Sequence, residues 1–148
     1  MDPYISEADA TLYFAERLGT EAWDDSTSAD RLKGLLMSTR AIDQLNFLGE
    51  KTDAAQERQF PRADDSAIPT EIQQACAELA LKLLDGVDPE MEYENLSMIA
   101  QGYSNVRSTY NRTNPPEYIV AGIPSITAWR LLKPFLRDIR TIDLYRVS

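Results

Sequence analysis

Apolar residues recur at helical spacing in four stretches of this 148-residue chain. Leucine, isoleucine and alanine recur every three or four positions in residues 7–18, 28–46 and 69–84, which predicts three amphipathic helices. A fourth such run spans residues 124–137, where Pro134 should kink or end the helix by removing a backbone hydrogen bond. The faces predicted for the first and fourth helices consist of the following apolar residues: Ala8, Leu12, Ala15 and Leu18, and then Ile126, Trp129 (or Ala128), Leu132 and Leu136.

Residues with known preferences for helix ends support these boundaries. Ser6 has the hydroxyl of an N-cap, and Gly19 is a typical C-terminal stop for the first helix. Pro69 suits the first turn of the third helix, where its missing N–H is not needed. Trp23 lies in the polar connection after the first helix, and we expect its ring to pack over the ends of the first two helices.

The stretch 38–62 connects the second helix to the third and contains two phenylalanines. Gly49 can adopt a left-handed turn, and the residue before Pro61 is restricted to extended backbone. We expect Phe47 and Phe60 to bury against the same core from opposite sides of this loop. The loop is therefore predicted to be a fixed structure, around which the helices are arranged.

Between the third and fourth helices the pattern changes. Residues 88–95 are acidic and contain a proline, which favours a loop, whereas residues 96–100 and 106–110 flank turn residues and predict the two strands of a β-hairpin. Residues 139–147 alternate apolar and polar side chains and predict a strand or an extended arm. The expected fold is mainly α: a single domain over 1–148, with a small bundle of three to four helices (core 1–87), a loop and β-hairpin (88–123), and a C-terminal helix with an extended arm (124–148).

Composition excludes several function classes. The chain has one cysteine and no histidine, which removes catalytic triads, Cys–His nucleophiles, His-ligated metals and intramolecular disulfides. Phosphate-binding glycine loops are absent, and no pair of carboxylates has a spacing that singles out acid–base chemistry. Residues 1–10 do not have the pattern of a secretory signal, and no run is long and apolar enough to cross a membrane. We therefore expect no enzyme activity, no cofactor and no metal.

The net charge of −9 argues against tight, non-specific binding to nucleic acid, because such binding needs clustered cations. The cations of the last third nevertheless stand apart from the acidic upstream part. On the predicted hairpin, Tyr103, Tyr110 and Arg107 could stack on bases and contact phosphates. The alternative is a basic edge that meets an acidic protein surface. We favour this alternative, and both hypotheses stay open.

The chain resembles the DnaT-like single-stranded-DNA-binding proteins of tailed phages and prophages, a family with members similar to head–tail connectors. The similarity covers roughly residues 4–85, together with the fourth helical run, and rests on short motifs in a fixed order. These are YISEAD from Tyr4, Trp23, TRAID from Thr39, GEKT from Gly49, Gln56, FPR from Phe60, Ile68-Pro69, ACAELA from Ala75, and LLKPFL from Leu131.

The resemblance implies a structural virion protein, a connector (adaptor) whose ring, with twelvefold symmetry, joins the portal to the nozzle or tail-completion protein at the neck of the virion. Genomic DNA would pass through its negatively charged channel without specific binding. The C-terminal arm would dock on the portal or on a neighbouring subunit. The residues expected to make these contacts are Arg137, Arg140, Leu144, Tyr145 and Arg146. The alternative is a replication accessory protein that binds single-stranded DNA.

Overall fold

The structure, a computed structural model, describes residues 1–104 and 116–137, with only the backbone for residues 97–104. The described ranges contain seven α-helices, and a 3-10 turn, Lys133–Phe135, follows the last of them. In chain order the helices are α1 (Glu7–Ala15), α2 (Glu21–Asp24), α3 (Ser28–Asp43), α4 (Thr70–Leu84), α5 (Pro89–Ser104), α6 (Glu117–Val120) and α7 (Ile126–Leu132).

Helices α3 and α4 form the central pair of the core. α4 is buried at Ile72 and along almost its whole middle, residues 75–81. Gly34 on α3 lies at their crossing, where a Cβ would be 3.4 Å from the Leu84 side chain, an ordinary contact distance. α7 packs on α4 through Ala128 and Leu132, which are fully buried. The three predicted helices are confirmed, and so is the role of Pro134, since α7 gives way to the 3-10 turn there. The predicted face of the fourth helix is wrong at Ile126, which is 46 % exposed.

The predicted face of the first helix is wrong. α1 ends at Ala15, and it buries Ala10 and Phe14, whereas Leu12 and Leu18 are 69 % and 92 % exposed. The reason is Trp23, which lies on α2 with its ring centroid 5.0 Å from that of Phe14. Burying two large aromatic rings together removes more apolar surface from water than the alanine and leucine stripe would.

The predicted β-hairpin is also wrong. Residues 96–100, assigned to its first strand, and the preceding acidic segment both lie in α5. Asp88 starts this helix, because its carboxylate accepts the backbone N–H of Glu90 at 2.9 Å, and Pro89 occupies the first turn, where proline is tolerated. The second predicted strand, residues 106–110, lies outside the described residues. Within 1–104 and 116–137 there is no strand, and isolated antiparallel bridges join only Phe47 to Leu136 and Lys51 to Arg62.

The expected count of three to four helices is too low for the same part of the chain. The additional helices are α2, α5 and α6. Two of them have only 4 residues, about one turn, so that a repeat of 3.6 residues cannot show in their sequences. The predicted C-terminal arm falls outside the described residues.

Candidate functional site

The loop between α3 and α4 is held by aromatic side chains. Phe60 lies at its centre, with ring centroids 4.7 Å from Phe47, 5.8 Å from Phe135 and 6.0 Å from Tyr4. Phe47 and Phe60 are 2 % and 3 % exposed, so the prediction that both bury against one core is confirmed. The loop therefore ties the N-terminus and the end of α7 to the central pair.

Arg62 is a buried residue of this loop, and its guanidinium donates hydrogen bonds to backbone carbonyls. It donates to the carbonyls of Leu48 at 2.9 Å, Phe47 at 3.4 Å and Gly49, and to the side-chain oxygen of Gln59 at 2.7 Å. The planar guanidinium has five N–H donors, so it can satisfy several carbonyls of a tight turn at once. The charge of Arg62 is therefore used in folding and is not presented to a ligand.

A second polar cluster joins the N-terminus to α3. The Tyr4 hydroxyl donates to Asp43 and accepts the backbone N–H of Phe60 at 3.2 Å. The backbone N–H of Gln59 donates to the same carboxylate oxygen at 3.3 Å. Burial raises the pKa of Asp43 above its ordinary value, and burial together with the Asp43 hydrogen bond raises the pKa of Tyr4. These groups hold the loop in place.

Glu78 is a buried carboxylate on α4, 2 % exposed, and α1 and the turn after it supply its partners. The Tyr13 hydroxyl donates to Oε1 of Glu78 at 2.9 Å, and Nε of Arg17 donates to the same oxygen at 2.5 Å. Burial, with the Glu78 bond second, raises the pKa of Tyr13 to about 12. The cluster is an interhelical lock, because its members satisfy one another.

Cys76, the one cysteine of the chain, is fully buried between α3 and α4. Its sulfur lies 3.4 Å from Oγ1 of Thr39, and burial raises the pKa of the thiol to about 11. A thiol that stays protonated and enclosed is a poor nucleophile.

Among the residues that the structure describes, no group of three or more His, Cys, Asp or Glu side chains could hold a metal ion. No helix in those ranges is long and apolar enough to span a membrane.

The charges of the chain are divided between two regions. Residues 1–104, which we call the acidic half, contain 21 Asp and Glu and eight Lys and Arg, a net charge of −13. Residues 105–148, which we call the C-terminal basic region, contain three Asp and Glu and seven Lys and Arg, a net charge of +4. Clustered cations are what attract nucleic-acid phosphates, so any such interface belongs to the second region.

Helix α7 carries the described part of this basic region. Its inner face buries Ala128 and Leu132, which places Ile126, Arg130 and Lys133 on the opposite, exposed face at helical spacing. Lys133 forms an ion pair of 3.2 Å with Glu117 at the start of α6. We call this exposed surface, with Arg137 after it, the α7 basic face.

One of the five residues predicted for partner contacts lies in the described part of the chain. Arg137 is exposed, and its backbone N–H donates to the carbonyl of Asn46 at 2.9 Å. The other four, Arg140, Leu144, Tyr145 and Arg146, lie outside it, as do Arg107 and Tyr110 of the nucleic-acid hypothesis. Tyr103 is on α5, within the segment described by its backbone alone.

Sequence reasoning placed no contact on Arg130 or Lys133. The signal was present in the fourth helical run, because these cations are three residues apart on the side opposite Leu132. A helical projection of residues 126–133 would have grouped them with Ile126.

Comparison with known proteins gives one match. The model of a protein family described as "Putative DnaT-like ssDNA binding protein" matches residues 1–128. No curated protein and no solved structure matches. The matched range takes in the acidic half, residues 105–115, α6 and the first residues of α7. Because it includes most of the sequence, the chain belongs to the family of DnaT-like single-stranded-DNA-binding proteins.

Proposed function

We propose that this protein binds single-stranded DNA through its C-terminal basic region. The observation that carries the proposal is the separation of charge in a member of this family, since seven of the fifteen cations stand among only three acidic residues. Within the matched range the region supplies Arg107 and Arg112, and just beyond it the α7 basic face follows. The net charge of the whole chain conceals this arrangement.

The chemistry of the region suits a single strand better than a duplex. Arginine and lysine attract the phosphates, and exposed bases of a single strand stack on aromatic rings. The region carries such rings at Tyr110, Tyr118, Trp129 and Tyr145. The region contains no Gly-rich phosphate-binding loop in its sequence, and contacts to phosphates carry no sequence information, so we expect binding with little sequence preference.

The test is the salt dependence of binding to a labelled oligothymidine, followed by fluorescence anisotropy. For single strands the logarithm of the affinity falls with the logarithm of salt by about 0.7 per phosphate contact, so seven cations allow a slope of at most about 5. We compare two triple variants. The test variant is Arg130→Ala, Lys133→Ala and Arg137→Ala, and its control is Lys33→Ala, Arg40→Ala and Lys82→Ala, three exposed cations of the acidic half.

The two variants change the net charge equally, so they separate a local interface from a global charge effect. We expect the test variant to lose about two units of salt slope and the control to keep the slope of the natural chain. Equal losses in both variants, or no measurable affinity at low salt for the natural chain, would contradict the proposal.

A second candidate function is the connector between portal and tail, favoured by the acidic half. A protein surface with a net charge of −13 over 104 residues repels DNA, as the wall of a DNA channel should. In this hypothesis the chain forms a ring with twelvefold symmetry. The ring docks on the portal through residues 137–148 and meets the tail protein on its other side.

Mixing the protein with purified portal rings tests the connector hypothesis, with native mass spectrometry as the readout. A discrete mass increase by one symmetric set of subunits would support a connector. Absence of association, with a portal that still binds another known partner, would remove this candidate and leave DNA binding.

A further inference from the structure

An open apolar groove runs between α5 and α6, with a volume of about 280 Å³. Its lining includes Tyr93 of α5 and Ile119 and Val120 of α6. Tyr93 and Val120 are each 52 % exposed, so the groove leaves large apolar side chains in contact with water. Covering such surface is favourable by about 25 cal/mol for each Å² removed from water.

The groove is edged with negative charge. Glu90 and Glu94 lie one turn apart on the exposed side of α5 and border it directly. Glu117, exposed at the start of α6, adds a third carboxylate nearby. The matching occupant therefore presents an apolar side chain flanked by cations.

The α7 basic face has this composition. Ile126 is 46 % exposed, and Arg130 and Lys133 lie on the same side of the helix. We propose that the occupant of the groove is the α7 basic face of a second copy of this chain, with Ile126 over Tyr93 and Val120 and the two cations beside Glu90 and Glu94. Complementary potentials of this kind favour and orient association.

The two surfaces lie next to each other in one chain. The 3.2 Å ion pair between Lys133 and Glu117 shows that the α7 basic face adjoins α6, the helix that forms one side of the groove. We place a twofold axis beside this junction, an arrangement in which each groove would meet the α7 basic face of the partner and the contact would form twice. Such an isologous contact closes at two copies, and the expected assembly is a dimer.

Charge reversal tests the proposal by sedimentation velocity and native mass spectrometry, in the absence of DNA. One variant carries Glu90→Lys and Glu94→Lys, and the other carries Arg130→Glu and Lys133→Glu. Each alone sets like charges against each other in both contacts, and we expect dimerisation to weaken by roughly 100-fold. In an equimolar mixture both contacts regain opposite charges, so a heterodimer should form.

A third variant serves as the matched control. Lys33→Glu with Arg40→Glu changes the same charges on exposed positions of α3, and this variant should dimerise like the natural chain. Circular dichroism checks that each variant is folded. A natural chain that stays monomeric, a dimer that survives both reversals, or a mixture that forms no heterodimer would overturn the proposal.

Residues 138–148 of the same chain are a competing occupant. If they fill the groove, the full chain is monomeric and a chain ending at Arg137 dimerises, which also overturns the proposal. The proposal does not rest on DNA binding, because the assay contains none, and failure in one experiment leaves the other intact. If both proposals hold, the shared cations of α7 make DNA and the second copy compete, so oligothymidine should dissociate the dimer.

Discussion

Three arginines of the acidic half bind other parts of the fold, whereas the cations of the α7 basic face are exposed to solvent. In the acidic half, Arg17 is bound to Glu78, and Arg62 is buried among backbone carbonyls. Arg31 donates to the carbonyl of Trp23 at 2.9 Å and pairs with Glu7 at 3.3 Å. In the α7 basic face, by contrast, Arg130, Lys133 and Arg137 are exposed.

This difference explains why the net charge misleads. At least five of the eight cations upstream bind other parts of the fold, so the acidic half presents even less positive charge to a ligand than its composition suggests. These five are Arg17, Arg31, Lys51, Arg58 and Arg62. The downstream cations that the structure describes, Arg130, Lys133 and Arg137, are close in sequence and exposed. Total charge governs long-range repulsion, whereas local clustering decides whether phosphates are bound. The predictions below test this contrast.

The largest effect is expected for Arg62→Met. Removing the guanidinium leaves the buried carbonyl of Phe47 and the partly buried carbonyls of Leu48 and Gly49 without their donor, which should cost about 3 kcal/mol of unfolding free energy. The corresponding loss in Tm is about 6–12 °C by calorimetry. The exposed Arg40→Met is the matched control and should stay within about 0.5 kcal/mol. Equal losses in the two variants would refute the structural role of Arg62.

A smaller effect of opposite sign is expected for Gly34→Ala at the crossing of α3 and α4. The added methyl group would lie 3.4 Å from the Leu84 side chain and 3.7 Å from the Cβ of Ala80, which are ordinary contacts. Alanine also costs less backbone entropy than glycine in a helix, so we expect a gain of about 0.5–1 kcal/mol in chemical denaturation. Gly34→Leu has no such space and should destabilise by about 1–3 kcal/mol. Stabilisation by leucine would contradict this packing.

Asp43 should make stability fall as the pH rises. Because its folded pKa is raised by burial, the folded state holds the proton more tightly than the unfolded state. Stability is lost as the pH rises from the ordinary carboxyl range through the raised value. Asp43→Asn keeps an oxygen that can accept from Tyr4 and Gln59 but does not ionise, so its stability relative to the natural chain should increase with pH in thermal melts.

Glu7 provides a control of opposite sign. Its pKa is lowered, chiefly by the Ser28 hydroxyl and then by Arg31, so its contribution to stability is present above the ordinary carboxyl pKa and is lost on acidification. Glu7→Gln should therefore become less stable than the natural chain as the pH rises. The same direction of change in both variants would contradict the assignment.

The smallest effect on the fold is expected from ending the chain after Arg137. The described core lies upstream, so helical content and Tm should change little, as measured by circular dichroism. The deletion removes Arg140 and Arg146, and affinity for oligothymidine should fall together with about one unit of salt slope. Unfolding of the shortened chain would show that residues 138–148 belong to the core.

The long central helices could be predicted because their signals are local and redundant. α4 has an apolar stripe of several turns and a proline at its start, and every signal points the same way. The buried face of α1 was predicted wrongly because the orientation of this helix depends on Trp23. Trp23 is a tertiary partner, and the helical repeat of α1 itself does not include it. The helix α5 was not predicted because its acidic start, which contains a proline, also fits a loop. Only the N-cap by Asp88 distinguishes a helix from a loop here.

The site was less predictable than the fold. The buried roles of Arg62 and Glu78 come from contacts between residues far apart in the chain, such as the 2.9 Å bond from Tyr13 to Glu78. The α7 basic face, in contrast, is encoded locally by the spacing of Arg130 and Lys133. A search for exposed cations on the polar side of each predicted helix would have identified it.

Photo-crosslinking to a single-stranded oligonucleotide that carries bromodeoxyuridine, with mass-spectrometric identification of the linked peptides, tests the central claim most directly. We predict crosslinks in residues 105–148, including the peptide that contains Trp129, and none in α1, α3 or α4. Crosslinks concentrated in the acidic half, or no crosslink at low salt, would contradict the account.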